Sequence, residues 1–322
     1  MKAAVYYENG GPEVLRYEEV RDPEPKAHEV LVEVRAIGIQ GGDLLGRAQG
    51  ALSATPHIVG YQAAGVIAST GSGVTSLQPG QRVTAFSWAG SHAELFCAPA
   101  ATVWAIPDSL SFEQAAAVPV EYGTAHDCLF EFGHLQAGET VLVQAAASGV
   151  GLAVVQLAKA AGARVIGTAS SDEKLARLRD YGLDVAVNYR TGDAVAEVKA
   201  ATGGAGADLV VDSVGGTVLQ QSIDVLAYRG RISWVGMAGR SSERPDLRRL
   251  MQQNASLNGV FLGAEMGHRP ARVHDMIEQL IVRIAAGELP VVIDSTFPLS
   301  DAEGAHRHIE SRQALGRVLL IP

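Results

Sequence analysis

The sequence predicts an α/β protein: a β-rich part followed by a doubly wound parallel sheet. Three observations carry that reading. Residues 141–159, VLVQAAASGVGLAVVQLAK, pass from a short apolar run through small residues into a helical pattern, with Val150, Val154, Leu157 and Ala158 on one face. From there to residue 262 strand-like and helix-like segments alternate, the pattern of a parallel sheet with helices on both faces. Residues 1–120 instead carry short strand-like segments separated by turn signals, the spacing of a small barrel-like fold.

Taken in order, residues 29–35, EVLVEVR, alternate as a half-buried strand does. Residues 63–68 and 82–86 are further short strands, with turns at Asn9-Gly10-Gly11-Pro12, Gly71-Ser72-Gly73 and Gln78-Pro79-Gly80. After Phe112 the period changes, and residues 113–130 read as mostly helical. Residues 164–168 form a strand, 172–181 a helix, 185–188 and 207–212 strands, 219–226 a helix, and 231–236 and 257–262 the last two strands of the sheet. A long helix over 272–286 and a strand-like 316–321 return the chain to the first part. The expected domains are therefore 1–122 with 264–322, and 123–263.

The chain of 322 residues is long enough for two domains, and its hydrophobic (47%) and charged (19%) fractions are those of a soluble globular protein. A net charge of −9 leaves no overall basic footprint, so neither nucleic acid nor an anionic membrane is an expected partner. No apolar run approaches the roughly 18–20 residues of a membrane span. Met1-Lys2 leads straight into AAVYY, which is no signal peptide, and Cys97 and Cys128 cannot build a disulfide framework. The cytoplasm is the expected compartment.

The turn at 145–151 suits a phosphate. Small side chains let the backbone approach a pyrophosphate, and the first helical N–H groups point at its charge. The three glycine positions of the dinucleotide fingerprint read Ala146, Ser148 and Gly151, so an ordinary tight strand–helix turn is the competing reading. The ribose end is more specific. A site for NAD places Asp or Glu about 20 residues past the glycine turn. Here the strand ends in Ala169-Ser170-Ser171, with no carboxylate. Ser171 and Lys174 suit a 2′-phosphate, one by hydrogen bond and one by charge, although Asp172 and Glu173 stand nearby. NADPH is the expected cofactor.

The whole chain resembles the zinc-independent quinone oxidoreductase (ζ-crystallin-like) branch of the medium-chain dehydrogenase/reductase superfamily. The resemblance lies in MKAAVYYENGGPEVL, LQPGQRV, SHAELFCAPAATVWAIPDSLSFEQAAAVPVEYGTAHDCL, the run from residue 141 to DEKL, VNYRTGD, GADLVVDSVGG and ESRQALGRVLLIP, all in the family's order. It implies a GroES-like β-barrel-type catalytic domain joined to a Rossmann sheet. Zinc-using relatives carry a Cys in G-x-C-G-x-D and a His-Glu pair in G-H-E. The matching positions hold Gln40, Tyr61 and Gln62, and the four cysteines of a structural zinc lobe are missing, so no metal is expected. His306 and His308 diverge on a helix, and His57 and His92 read as surface or polar-core residues.

The resemblance extends the cofactor set to Gln40, Thr124, Ser148, Gly149, Val150, Ser170, Tyr189, Ser213, Val214, Gly236, Met237, Ala238, Phe261, Leu262, Gly263 and Arg317, with Arg190 adding charge. Gln40 departs from the branch's usual Asn, and Gln62 from its usual acid. The expected reaction is hydride transfer from NADPH to a quinone or enone. Tyr61 and Tyr122 are candidate proton donors, each also readable as a packing residue, and solvent is a third source. An enoyl-thioester reductase and a non-enzymatic, crystallin-like NADPH binder stay open as alternatives. Related reductases pair the last strand of the sheet across a two-fold axis, so a homodimer through residues 257–262, from Leu257 to Leu262, is expected. Proline at Val260 is then expected to remove a ladder donor from that edge.

Overall fold

The structure, a computed structural model, describes residues 1–52 and 54–322. The chain forms two compact units, residues 1–120 with 265–322, and residues 121–264.

The first unit opens with β1 (Lys2–Tyr6), β2 (Arg16–Glu19), β3 (Glu29–Gly38), helix α1 (Gly41–Gln49) and β4 (His57–Ile58). It continues through β5 (Gln62–Thr70), β6 (Arg82–Phe86), β7 (Leu95–Pro99), β8 (Val103–Ala105) and the single turn α2 (Phe112–Ala115). β3 is the organiser. Its alternation buries Val30, Val32, Val34 and Ala36, and it pairs antiparallel with β5 and β7. Among the elements here that escape the sequence pattern, two show why. β2 is RYEE, mostly exposed, with no apolar face to betray it. α1 starts Gly41-Gly42, which weakens any helical signal. The helix holds because the Gln40 backbone N–H donates to Asp43 Oδ2 at 2.7 Å and because Leu44 and Arg47 are buried.

Helix α3 (Pro119–His126) runs into a π-helical turn at Asp127–Glu131 and carries the chain into the second unit. That unit then alternates without a break: β9 (Thr140–Val143), α4 (Gly149–Ala160), β10 (Arg164–Ala169), α5 (Asp172–Arg179), β11 (Val185–Asn188), α6 (Ala194–Ala201), β12 (Ala207–Asp212), α7 (Thr217–Asp224), β13 (Leu226–Trp234), α8 (Arg248–Gln253) and β14 (Ser256–Gly259). Its six strands lie parallel in the order β11-β10-β9-β12-β13-β14. The order reverses at β9, which has β10 on one side and β12 on the other, and such a reversal opens a crevice at the strand C-termini. Val141–Val143, Val165, Ile166 and residues 209–211 are buried on both faces, as parallel strands require. α4 buries all of 151–158, a wider face than the stripe of four apolar residues suggests, and Val150 is only partly covered.

Boundaries near the last two strands of the sheet differ from the sequence pattern. α7 stops at Asp224, and Leu226 already belongs to β13. β14 ends at Gly259, not Leu262. The Val260 N–H makes the last bond of this pairing, to Trp234 O at 2.9 Å, and Leu262 opens α9 (Leu262–His268). The chain re-enters the first unit through α10 (Pro270–Ala285), then β15 (Ile293–Pro298), α11 (Ala302–Glu310) and β16 (Arg317–Ile321). β15 has no signal in the sequence pattern. It pairs parallel with β16, which pairs with β3, completing the order β15-β16-β3-β5-β6-β8.

Candidate functional site

The crevice of the second unit is built by a chain of polar side chains at the ends of three apolar strands. Thr168 Oγ1 accepts from the Ala145 N–H at 3.1 Å and donates to Gln144 Oε1 at 2.8 Å. Gln144 Nε2 donates to Ser222 Oγ at 3.2 Å, and Ser222 donates to Asp212 Oδ2 at 2.8 Å. Asp212 Oδ1 accepts the Val214 and Gly215 N–H groups at 2.8 and 2.9 Å. Each hydroxyl gives one bond and takes one, so β9, β10 and β12 end in a single directional network. Sequence reasoning missed these four residues. For Gln144, Thr168 and Asp212 the signal was present as one polar residue near the end of each strand, in VLVQ, VIGT and LVVD, whereas Ser222 lies in α7.

The phosphate-suited turn lies on this base. Ala145 has φ +52°, in the left-handed region. Ser148 caps α4, its Oγ accepting from the Gly151 N–H at 3.1 Å. A Cβ on Gly151 would stand 2.8 Å from Ala146 Cα, so only glycine permits this strand–helix approach. Helix geometry leaves the N–H groups of Gly149 and Val150 without intrahelical acceptors, pointing outward from the turn.

The ribose-end residues gather by strand register. Ala169 of β10 pairs with Asn188 of β11, and the Tyr189 N–H donates to Ala169 O at 3.3 Å, which sets Ser170-Ser171 beside Tyr189-Arg190. Ser171 caps α5, its Oγ accepting from the Lys174 N–H at 3.4 Å. Asp172 is drawn aside, taking a bond from Asn188 Nδ2 at 2.8 Å. At the next strand ends, Ala238 and Gly239 donate to the carbonyls of Ser213 and Val214 at 3.1 and 2.9 Å, and Gly236 O accepts from Trp234 Nε1 at 2.8 Å. Met237 and Phe261 are exposed, and Thr124 is buried in α3.

Other predicted residues have different settings. Gln40 and Arg317 lie in the first unit and are buried. Arg317 donates through Nη2 to Ile39 O, holding β16 to the segment before α1. Tyr122 is buried in the second unit with its hydroxyl on Gln156 Oε1 at 3.4 Å, and burial pushes the phenol pKa up. That setting suits packing better than proton delivery. Tyr61 is partly exposed, edge-on to Phe86.

Gln62 is fully buried, and its amide works as a strut. Nε2 donates to Ala116 O, and Oε1 accepts the Val120 N–H at 2.6 Å. Both ends are committed to backbone, a task neither a metal ligand nor a carboxylate performs. The histidines face each other instead. Arg47 Nη1 donates to His306 Nδ1 at 2.8 Å, which places the His306 proton on Nε2, 3.1 Å from His92 Nε2. Burial holds both imidazoles well below their usual pKa, His92 at about 3. His308 diverges to Asp294 at 2.8 Å. Among the described residues, the one group of three ligand types within 4.8 Å of one another is His274, Asp275 and Glu278 on the outer side of α10.

Comparison with known proteins agrees with this architecture. Residues 26–108 match the alcohol dehydrogenase GroES-like domain, and residues 149–281 match the zinc-binding dehydrogenase family. A quinone oxidoreductase of Rattus norvegicus is 33% identical, with 100% of this chain and 98% of the relative aligned. A 2-haloacrylate reductase of a Burkholderia species is 32% identical over 99% of this chain and 98% of its own length. The crystal structure of Escherichia coli quinone oxidoreductase complexed with NADPH superposes with a TM-score of 0.94 at 32% identity, covering 100% of both chains. With two domains in the family's order and end-to-end similarity at this level, the chain belongs to the quinone oxidoreductase branch of the medium-chain dehydrogenase/reductase superfamily.

Proposed function

We propose that the protein is an NADPH-dependent reductase that delivers hydride to a quinone or to the activated C=C of an enone, without a metal. The observation that carries the cofactor choice is the register Ala169 with Asn188. It brings Ser171, at the start of α5 with Lys174 one turn on, beside Tyr189 and Arg190, and of the two nearby acids, Asp172 and Glu173, Asp172 is engaged by Asn188. Two hydroxyls and two cations suit a 2′-phosphate, whereas a 2′-hydroxyl site wants a carboxylate.

Bound there, NADPH supplies the hydride from its nicotinamide. The turn at Ser148, Gly149 and Val150 would hold the pyrophosphate on the N-terminus of α4. Ser170 would border the ribose. The strand-end segments at Ser213 and Val214, at Gly236, Met237 and Ala238, and at Phe261, Leu262 and Gly263 would line the dinucleotide. Thr124 and Gln40 are assigned to the nicotinamide end and Arg317 to the pyrophosphate. The names of the relatives support both acceptor types: two are quinone oxidoreductases, one with NADPH, and the haloacrylate reductase acts on a conjugated C=C by its name. A small-molecule acceptor, no nucleic acid, a cytoplasmic location and a homodimer complete the proposal.

The test is binding. NADPH should bind more tightly than NADH, and Lys174→Ala should remove about 1.5–3 kcal/mol of that preference, one charge-assisted phosphate contact. Equal dissociation constants for the two cofactors in the unaltered protein refute the assignment. Turnover of a panel of quinones, enones and enoyl thioesters then separates a quinone or enone reductase from a thioester reductase and from a binder without activity.

A further inference from the structure

The turn after β11 is held by the last residue of that strand. Asn188 O accepts the Thr191 and Gly192 N–H groups, each at 3.2 Å, and Asn188 Oδ1 accepts the Arg190 N–H at 3.1 Å. The other end of the same amide leaves the turn. Nδ2 donates to Asp172 Oδ1 at 2.8 Å, across the strand pair that sets Asn188 against Ala169. Asp172 is the first residue of α5, directly after the Ser171 cap, and so the first acid past the tip of β10. The N-terminus of a helix favours a carboxylate there but does not choose its rotamer. The bond from Asn188 does. One amide therefore brackets two segments of the second unit: the turn that carries Tyr189 and Arg190, and the first turn of α5.

Resting on the NADPH reading above, we propose that Asn188 is a specificity-determining latch, and that the chain carries a closed ribose site of the NADH type which opens when the latch is removed. A carboxylate at this end of a dinucleotide site accepts from a ribose 2′-hydroxyl and repels a 2′-phosphate. The chain owns such an acid in Asp172 and holds it aside. Asn188 acts through Asp172 and is a positioning residue. Its two ends can be separated by substitution. In Asn188→Ser the hydroxyl still accepts from the backbone N–H two residues on, as serine does in turns, but is too short to hold Asp172. Glu173 is the internal control, an acid one position on and about 100° round the helix.

The experiment measures dissociation constants for NADPH and NADH by fluorescence titration at low salt. Asn188→Ser should weaken NADPH about fivefold, the effect of one released carboxylate near a phosphate, and should leave NADH as tight or tighter. A merely structural loss weakens both cofactors together. Asp172→Asn alone should change the NADPH-to-NADH ratio by less than about twofold, because the carboxylate is already held aside. Adding Asp172→Asn to Asn188→Ser should restore the ratio, and adding Glu173→Gln should not. Should Asn188→Ser not fold, Asn188→Thr offers the same hydroxyl on a side chain suited to a strand end and is read in the same way. A ratio unmoved by Asn188→Ser, or moved and not restored by Asp172→Asn, or restored equally by Glu173→Gln, overturns the latch and leaves the NADPH reading standing. Equal NADPH and NADH constants in the unaltered protein overturn the NADPH reading, and the latch with it.

Discussion

The amide of Gln62 shows how one atom decides a residue's role. Its Nε2 faces a carbonyl and its Oε1 faces an N–H. Gln62→Glu keeps the shape and removes the donor, setting a carboxylate against Ala116 O. At pH 8 this should lower the unfolding free energy by about 3 kcal/mol, measured by urea titration. The sign with pH is distinctive. Once protonated, the carboxyl of the Gln62→Glu variant donates as the amide does, so its folded pKa lies above the unfolded value of about 4.3. The deficit should therefore shrink as pH falls through that raised pKa, and a deficit constant from pH 8 to 5 refutes the strut. His92 and His306 give the opposite slope. Their folded pKa values are depressed, so the unfolded chain binds the extra protons. Stability is complete above pH 6.5 and falls as acid is added towards the folded values. Between pH 6.5 and 5 the loss is up to about 2 kcal/mol per imidazole. His92→Asn should flatten the unfolding free energy against pH, and an unchanged slope assigns the acid sensitivity elsewhere. Gln62 could be noted from sequence as a departure at a ligand position. Its partners could not, because Ala116 and Val120 are more than fifty positions away.

Elements carry the crevice proposed for the cofactor, and here the strand ends matter more than the strands. Asp212 accepts two backbone N–H groups and one hydroxyl while fully buried. Asp212→Ala leaves those donors, and then Gln144 and Thr168, without their terminal acceptor. The expected loss is about 3 kcal/mol of stability in urea, with weaker NADPH binding read by fluorescence titration. A variant as stable as the unaltered protein would show that the turns hold without the network. The apolar runs, the phosphate-suited turn and the carboxylate-free tip of β10 were legible because each is local. The network was not, since its order depends on β9 lying between β10 and β12, a fact of topology. α1, β2 and β15 were hidden for another reason: their stability comes from partners distant in sequence rather than from their own pattern. Arg47 of α1, for example, holds Gly10, His306 and Glu310.

At the scale of the whole molecule, the open edge of the parallel sheet is the surface we propose for assembly. β14 is its last strand, and its neighbours in the chain, Met251 and Phe261, are 75% and 63% exposed. An unpaired edge flanked by exposed apolar side chains invites a second edge. The expected assembly is a two-fold dimer in which β14 meets its own copy. Strand geometry identifies the bonds involved. Val260 N–H points inward, to Trp234 O, so proline at 260 would break a bond inside the subunit and is not a test of the dimer. Along a strand alternate residues point the same way, which turns the N–H groups of Leu257 and Gly259 outward. A Cβ on Gly259 meets nothing within 4 Å, and Gly259→Pro removes an outward donor. Light scattering at micromolar concentration should give the unaltered protein twice the mass of one chain and Gly259→Pro a mass falling towards one chain on dilution. NADPH affinity should stay with the subunit, because the turn and strand ends proposed to hold the cofactor belong to the one chain. An unaltered protein with the mass of a single chain would show that this edge stays open, with Met251 and Phe261 facing solvent.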